Sequence, residues 1–270
     1  MADQIDQIDP RFPPELEHRV FEITALARPK CIPTLMLVAR RIKFWVEPLL
    51  YRVIMVKDPR MIFEPLNFGP PTFPVDALAQ LSSDFLRHAR HLFIDDTFVE
   101  DTALESWLLA CPNITNLFGQ LDCTPKLLPL LSSFTEIRYL TIDAGVLCGT
   151  TVPHPLFLTV THLELLDTDT GSVDRLWQNL TLIPHLTHIA FNRVLSSLEA
   201  SLDGSPLLDD PRFLCIDEKQ RYYINWLQGA ISGDDYWALA DAFLAARRVG
   251  RIDRSCYRIS NTWNSKDNHV

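Results

Sequence analysis

One pattern constrains this chain more than any other: short apolar peptides recur along its middle at near-constant spacing. HLFID begins at His91, NLFGQ at Asn116, YLTID at Tyr139, HLELL at His162, HIAFN at His188 and FLCID at Phe213. Taking the first aliphatic residue of each as anchor gives Leu92, Leu117, Leu140, Leu163, Ile189 and Leu214, spaced by 25, 23, 23, 26 and 25 residues. Three residues before the first five anchors stand Ala89, Ile114, Ile137, Val160 and Leu186. Two residues after the six stand Ile94, Gly119, Ile142, Leu165, Phe191 and Ile216. Such self-similarity points to a strand-plus-helix unit that must stack on its neighbours, because one unit cannot bury its own apolar face.

The L-x-x-L-x-L frame and its period fall within the range of leucine-rich repeats, about 20–29 residues. The frame is irregular. Thr97, Asp122, Gly145, Thr168, Val194 and Lys219 replace the usual Asn or Cys, and Pro211 takes an aliphatic position in the last unit. Between the peptides, DTALESWLLACP and SVDRLWQNLTLIP read as helices stopped at a proline. The expected body, residues 85–218, is therefore an irregular leucine-rich-repeat-like solenoid with short parallel strands. Residues 219–260 are expected to cap its end. There Asp234 or Asp235 begins a helix with Trp237, Ala240, Phe243 and Leu244 on one face, Arg247 and Arg248 in its last turn, and Gly250 beyond.

Strand side chains alternate between faces, so residues flanking the anchors are expected to point outward. That nominates Phe93, Phe118, Tyr139, His162, His188 and Phe213, with Asp95, Asp143 and Asp217, as a substrate face. Aromatic anchors with a polar rim suit protein capture. The acids favour a basic partner and repel an acidic one.

Charge supports that choice. The chain of 270 residues has a formal net charge of −9. Residues 1–57 carry nine Lys/Arg against seven Asp/Glu, leaving about −11 on the remainder. So acidic a body argues against general binding to nucleic acid or an anionic membrane, which needs clustered cations. The six cysteines form no C-x-x-C pair. The opening MADQIDQIDP is polar and acidic, unlike a secretory leader, and no apolar run approaches the roughly 20 residues of a membrane span. The expected compartment is the cytoplasm, the nucleus or both.

Catalysis finds little support. There is no glycine-rich phosphate loop and no G-x-S-x-G elbow. His162 and His188, on adjacent strands with Asp143 or Glu164 nearby, could be drawn as a metal-dependent hydrolase. The histidines show no supporting partners in sequence, so no catalytic residue, metal or cofactor is expected.

The N-terminal stretch, residues 11–56, reads as short helices with surplus apolar surface. It resembles an F-box. Phe12-Pro13-Pro14-Glu15-Leu16 is similar to the motif's Leu-Pro-x-Glu-Leu start, and Val20-Phe21 to its following apolar pair. Leu37-Val38-Ala39-Arg40-Arg41 resembles its Leu-Val-Ser/Cys-Lys/Arg-Arg segment, and Trp45, Leu49, Leu50 and Tyr51 its close. The proline-bounded ARPKCIP departs from the pattern. A proline-rich joint over 57–84 follows. The whole layout is similar to F-box-like proteins abundant in mushroom-forming fungi. The resemblance implies an α/β (α+β) chain: a helical F-box, then irregular repeats. It also implies docking on a Skp-type adaptor of a cullin complex through Pro14, Leu16, Leu37 and Val38, and a repeat face presenting a protein substrate for ubiquitination. The alternative is an interaction scaffold whose F-box no longer recruits a ligase.

Overall fold

The computed structural model describes residues 12–57, 72–73, 80–95, 105–106, 108–120, 127–166, 173–192, 202, 204–216, 222–233 and 235–259. Within them the chain is α/β, built around one parallel sheet. Its strands are β1 (Val53–Lys57), β2 (Thr72–Phe73), β3 (His91–Asp95), β4 (Asn116–Gln120), β5 (Tyr139–Asp143), β6 (His162–Leu166), β7 (His188–Asn192), β8 (Phe213–Ile216) and β9 (Arg258–Ile259). The order is β2-β1-β3-β4-β5-β6-β7-β8-β9.

The anchors pair directly. Leu92 lies opposite Leu117, Leu117 opposite Leu140, Leu140 opposite Leu163, and Leu163 opposite Ile189. All five are fully buried, as are Ala89, Ile114, Ile137 and Val160 three residues earlier. Burying each Leu or Ile contributes about 1.5–3 kcal/mol, so a continuous anchor column supplies much of the cohesion between units. At the strand entries threonine hydroxyls tie neighbours laterally. Thr115 Oγ1 donates to Arg90 O (3.1 Å), Thr161 Oγ1 to Arg138 O (3.2 Å) and Thr187 Oγ1 to Thr161 O (2.9 Å).

The last unit differs from expectation by one residue. Ile189 pairs with Phe213, not with Leu214. Phe213 is therefore the anchor, buried in the main core, while Leu214 turns to the opposite face. A one-residue slip exchanges the faces of a strand. The sheet also takes in Val53–Lys57, whose Ile54 pairs with Leu92 and extends the anchor column.

Three helices precede the sheet: α1 (Pro14–Ala27), α2 (Ile32–Leu35) and α3 (Arg40–Leu50). Pro14 opens α1 at the first turn, where its missing N–H costs nothing. Only Ala25, Ile32, Ile42 and Val46 form the fully buried centre of this bundle. Glu17 on α1 accepts two hydrogen bonds from Arg41 on α3, at 3.0 and 2.8 Å.

Short helices follow on the core side, among them α4 (Ser83–Leu86), α5 (Leu127–Leu131), α6 (Ala144–Gly149) and α7 (Val173–Thr181). The last two described helices are α8 (Tyr222–Ser232) and α9 (Tyr236–Arg248). They correct the expected end cap. Instead of closing the end of the stack they lie across the opposite strand face, and β9 continues the sheet beyond β8. Trp226, Leu227 and Ala230 of α8 pack on Val53, Met55, Phe93 and Phe118. Tyr236, Trp237, Ala240, Phe243 and Leu244 of α9 pack with Ala190, Leu214 and Ile216. Among the described residues no helix is long and apolar enough to cross a membrane.

Candidate functional site

The two covering helices are set by local chemistry. Asp235 caps α9, its Oδ1 accepting from the N–H groups of Trp237 (2.9 Å) and Ala238 (3.3 Å). Asn225 Oδ1 accepts from Tyr236 N at 3.0 Å, holding α8 to the start of α9. Gly233, at φ +81°, makes the turn between them, and a Cβ at Gly229 would collide with the Asp235 carboxylate. Arg247, in the last turn of α9 as expected, is 5% exposed. It donates to the carbonyls of Pro211 (2.7 Å) and Phe213 (3.0 Å), clamping α9 onto β8.

Much of the expected substrate face is therefore interior. Phe93 and Phe118 are stacked at 4.3 Å and fully buried beneath Trp226, and Phe213 belongs to the opposite core. His188 and Asp143 are buried too. Tyr139 and His162 are half-buried. The Asp95 side chain and the whole of Asp217 lie outside the described residues. Pro14, Leu16, Leu37 and Val38 are exposed.

Polar groups under the helices are matched to them. Glu164, 1% exposed, accepts from Thr141 Oγ1 at 2.7 Å and from the Tyr236 hydroxyl at 2.5 Å. Burial beside that carboxylate pushes the Tyr236 phenol well above its ordinary pKa. Trp226 Nε1 donates to Asn116 Oδ1 at 3.0 Å. Burial pushes the thiols of Cys111 and Cys215 up to about 12, so neither is a ready nucleophile.

What stays open is a cleft of about 700 Å³ between α1, the strand face and the α8–α9 junction. Its wall includes Ile23 and Leu26 from α1, Arg52, His91, Asn116, Tyr139, Asp235, Trp237 and Asp241. Burial, with Arg52 and Arg90 nearby, depresses the His91 pKa to about 3, and its buried Nδ1 has no hydrogen-bond partner among the described residues. Burial raises Asp235 to about 6 despite the two backbone bonds it accepts. The wall of the cleft thus combines two acidic side chains, Arg52 and the aromatic rings of Tyr139 and Trp237.

No family model matches the chain, and a search of curated proteins finds no relative.

Beside the cleft, His162 and His188 stack with centroids 4.2 Å apart and planes 4° from parallel. The expectation that these histidines lack supporting partners is corrected. Nδ1 of each lies 2.9 Å from the hydroxyl of the preceding threonine, Thr161 or Thr187. Neither partner expected from sequence completes the cluster: Glu164 is bound by Thr141 and Tyr236, and Asp143 ends β5. The carboxylate that reaches it is Asp241 of α9, 2.9 Å from His188 Nε2.

Sequence reasoning missed Asp241 because it placed α9 at the end of the stack. A signal was present. LFI at 92–94, LF at 117–118 and FLCI at 213–216 are apolar on consecutive residues, as in parallel strands buried on both faces.

Proposed function

We propose that this chain is the substrate-recognition subunit of a Skp-cullin-F-box type ubiquitin ligase, without catalytic activity of its own. The observation that carries this reading is the outer surface of the α1–α3 bundle. Leu16 (55% exposed), Val20 (60%) and Ile23 (52%) follow one another at helical spacing on α1. Leu37 (86%) and Val38 (61%) occupy the turn before α3, and Phe44 (78%) follows on α3. A bundle with so small a buried centre, showing this many large apolar side chains, is suited to docking a partner. The F-box-like motifs fall on the same residues, with Pro14, Leu16, Leu37 and Val38 as adaptor contacts.

On this reading the capture surface is the cleft. Asp235, Tyr139 and Trp237, which share the wall of the cleft, suit a Lys or Arg side chain through charge and cation–π attraction. The favoured substrate is a protein with an exposed basic segment.

The experiment is calorimetry of the full chain with purified Skp-type adaptors. Wild type is expected to bind one equivalent, and Leu16→Arg with Val38→Glu to lose binding while the circular dichroism spectrum is unchanged. If no adaptor binds wild type, the ligase reading fails and a scaffold with a degenerate F-box replaces it.

A further inference from the structure

The threonine ladder favours one placement of the ring hydrogens on His162 and His188. Thr161 Oγ1 gives its proton to Arg138 O, and Thr187 Oγ1 gives its proton to Thr161 O. A hydroxyl has one hydrogen, so each oxygen meets its histidine with a lone pair. The 2.9 Å contacts are then Nδ1–H donating to Oγ1. Both imidazoles are left with Nε2 unprotonated, the arrangement in which a ring nitrogen can bind a metal.

Those lone pairs are not otherwise used in a way that suits them. His188 Nε2 is buried and sits 2.9 Å from the Asp241 carboxylate, a separation that a shared proton or a shared cation can bridge. With the ring hydrogen on Nδ1, that contact needs a proton or a cation between the two atoms, and a metal ion supplies the second. The donor atoms of His162, His188 and Asp241 all lie within 4.8 Å of one another.

We propose that His162, His188 and Asp241 bind a single divalent transition-metal ion of the zinc class. Two imidazole nitrogens select such a borderline ion over magnesium or calcium, which prefer all-oxygen sites. Metal–ligand distances of about 2.0–2.2 Å place donors in a tetrahedral site roughly 3.2–3.6 Å apart. On binding, His188 Nε2 and Asp241 Oδ1 part slightly from 2.9 Å, while any donor pair near the 4.8 Å limit closes by about 1 Å. The two rings splay from parallel about their Nδ1–threonine bonds, and Asp241, with a side chain 63% exposed, moves in from solvent. Three protein donors leave a fourth position open to water or to a donor atom from a bound segment. Because Asp241 also lines the cleft, the ion stands at its edge and more than offsets the Asp241 charge, leaving Asp235 as the acid for a basic segment. The site stands on its own geometry, whether or not the adaptor binds.

The test is zinc titration of the full chain by calorimetry at neutral pH, repeated with millimolar magnesium present. Wild type is expected to bind one equivalent, unaffected by magnesium. Asp241→Asn and Thr187→Val should each weaken binding about 10–100-fold, the second by releasing the ring that Thr187 orients. His162→Gln should abolish it. Nε2 ring-nitrogen resonances of both histidines should shift on zinc addition, a readout that folding changes elsewhere do not imitate. The proposal is overturned if wild type binds no zinc at about 100-fold the protein concentration, if magnesium displaces it, or if His162→Gln binds undiminished. That last result would mean His188 and Asp241 merely share a proton, with the zinc held elsewhere.

Discussion

Replacing Phe118 by alanine separates a covered strand face from an open one. Phe118 is 1% exposed, stacked on Phe93 at 4.3 Å with planes 12° apart, and Trp226 lies on the same pair. Truncating a buried Phe costs about 3–5 kcal/mol, lost transfer energy and residual cavity together. About 0.5–1.5 kcal/mol of that belongs to the stacked pair. At roughly 2–4 °C per kcal/mol for a chain of this size, Tm falls by about 6–20 °C. Thermal and urea unfolding, followed by circular dichroism and tryptophan fluorescence, measure the change. Phe44→Ala, at a side chain 78% exposed, is the control and should stay within about 0.5 kcal/mol of wild type. Phe118→Leu, at under about 1.5 kcal/mol, keeps the comparison available if the alanine variant does not fold. If Phe118→Ala matches Phe44→Ala, then α8 does not cover the sheet and the face is open.

Four further outcomes follow from buried titratable groups and exposed apolar surface. Asp235 has its pKa raised to about 6 by burial, so its contribution to stability is full below the unfolded value of about 4 and is lost as pH rises through 6. Asp235→Asn keeps a cap, and its stability relative to wild type should therefore grow between pH 4 and 6 in urea titrations. His91 shifts the other way, to about 3, so its contribution is full above about 6.5 and is lost as pH falls; His91→Gln should gain on wild type by up to about 1.4 kcal/mol per pH unit within that window. Arg247→Met removes the donors to the Pro211 and Phe213 carbonyls and should cost about 2–4 kcal/mol in urea unfolding. Leu37→Glu should change stability by less than about 0.5 kcal/mol in the same assay, because the side chain is 86% exposed.

The anchors from Leu92 to Ile189 were legible because their period is long, regular and enforced by one shared core. The last unit was misread by one residue. FLCI offers apolar side chains on both faces, so alternation gives no phase. The same ambiguity hid the covered face: Phe93 and Phe118 look like exposed aromatic anchors unless α8 is already placed over them. Nothing local fixes that placement, since Trp226 and Asn116 meet across 110 residues of sequence. His162 and His188 were found by their shared strand position, but Asp241 depends on where α9 docks. The threonines at 161 and 187 are visible as the residue before each histidine, and their significance comes only from the hydroxyls' second bond to a neighbouring strand.

The most direct test of the account is hydrogen exchange on the full chain, alone and with a Skp-type adaptor at saturating concentration. Two results are expected in one measurement. Amides of β3, β4, α8 and α9 exchange slowly without the adaptor, because the strand face is closed. Adaptor binding adds protection within residues 12–50 and leaves the strands unchanged. Rapid exchange across α8 and α9, or an adaptor footprint on the strand face in place of α1 and the turn before α3, would contradict it.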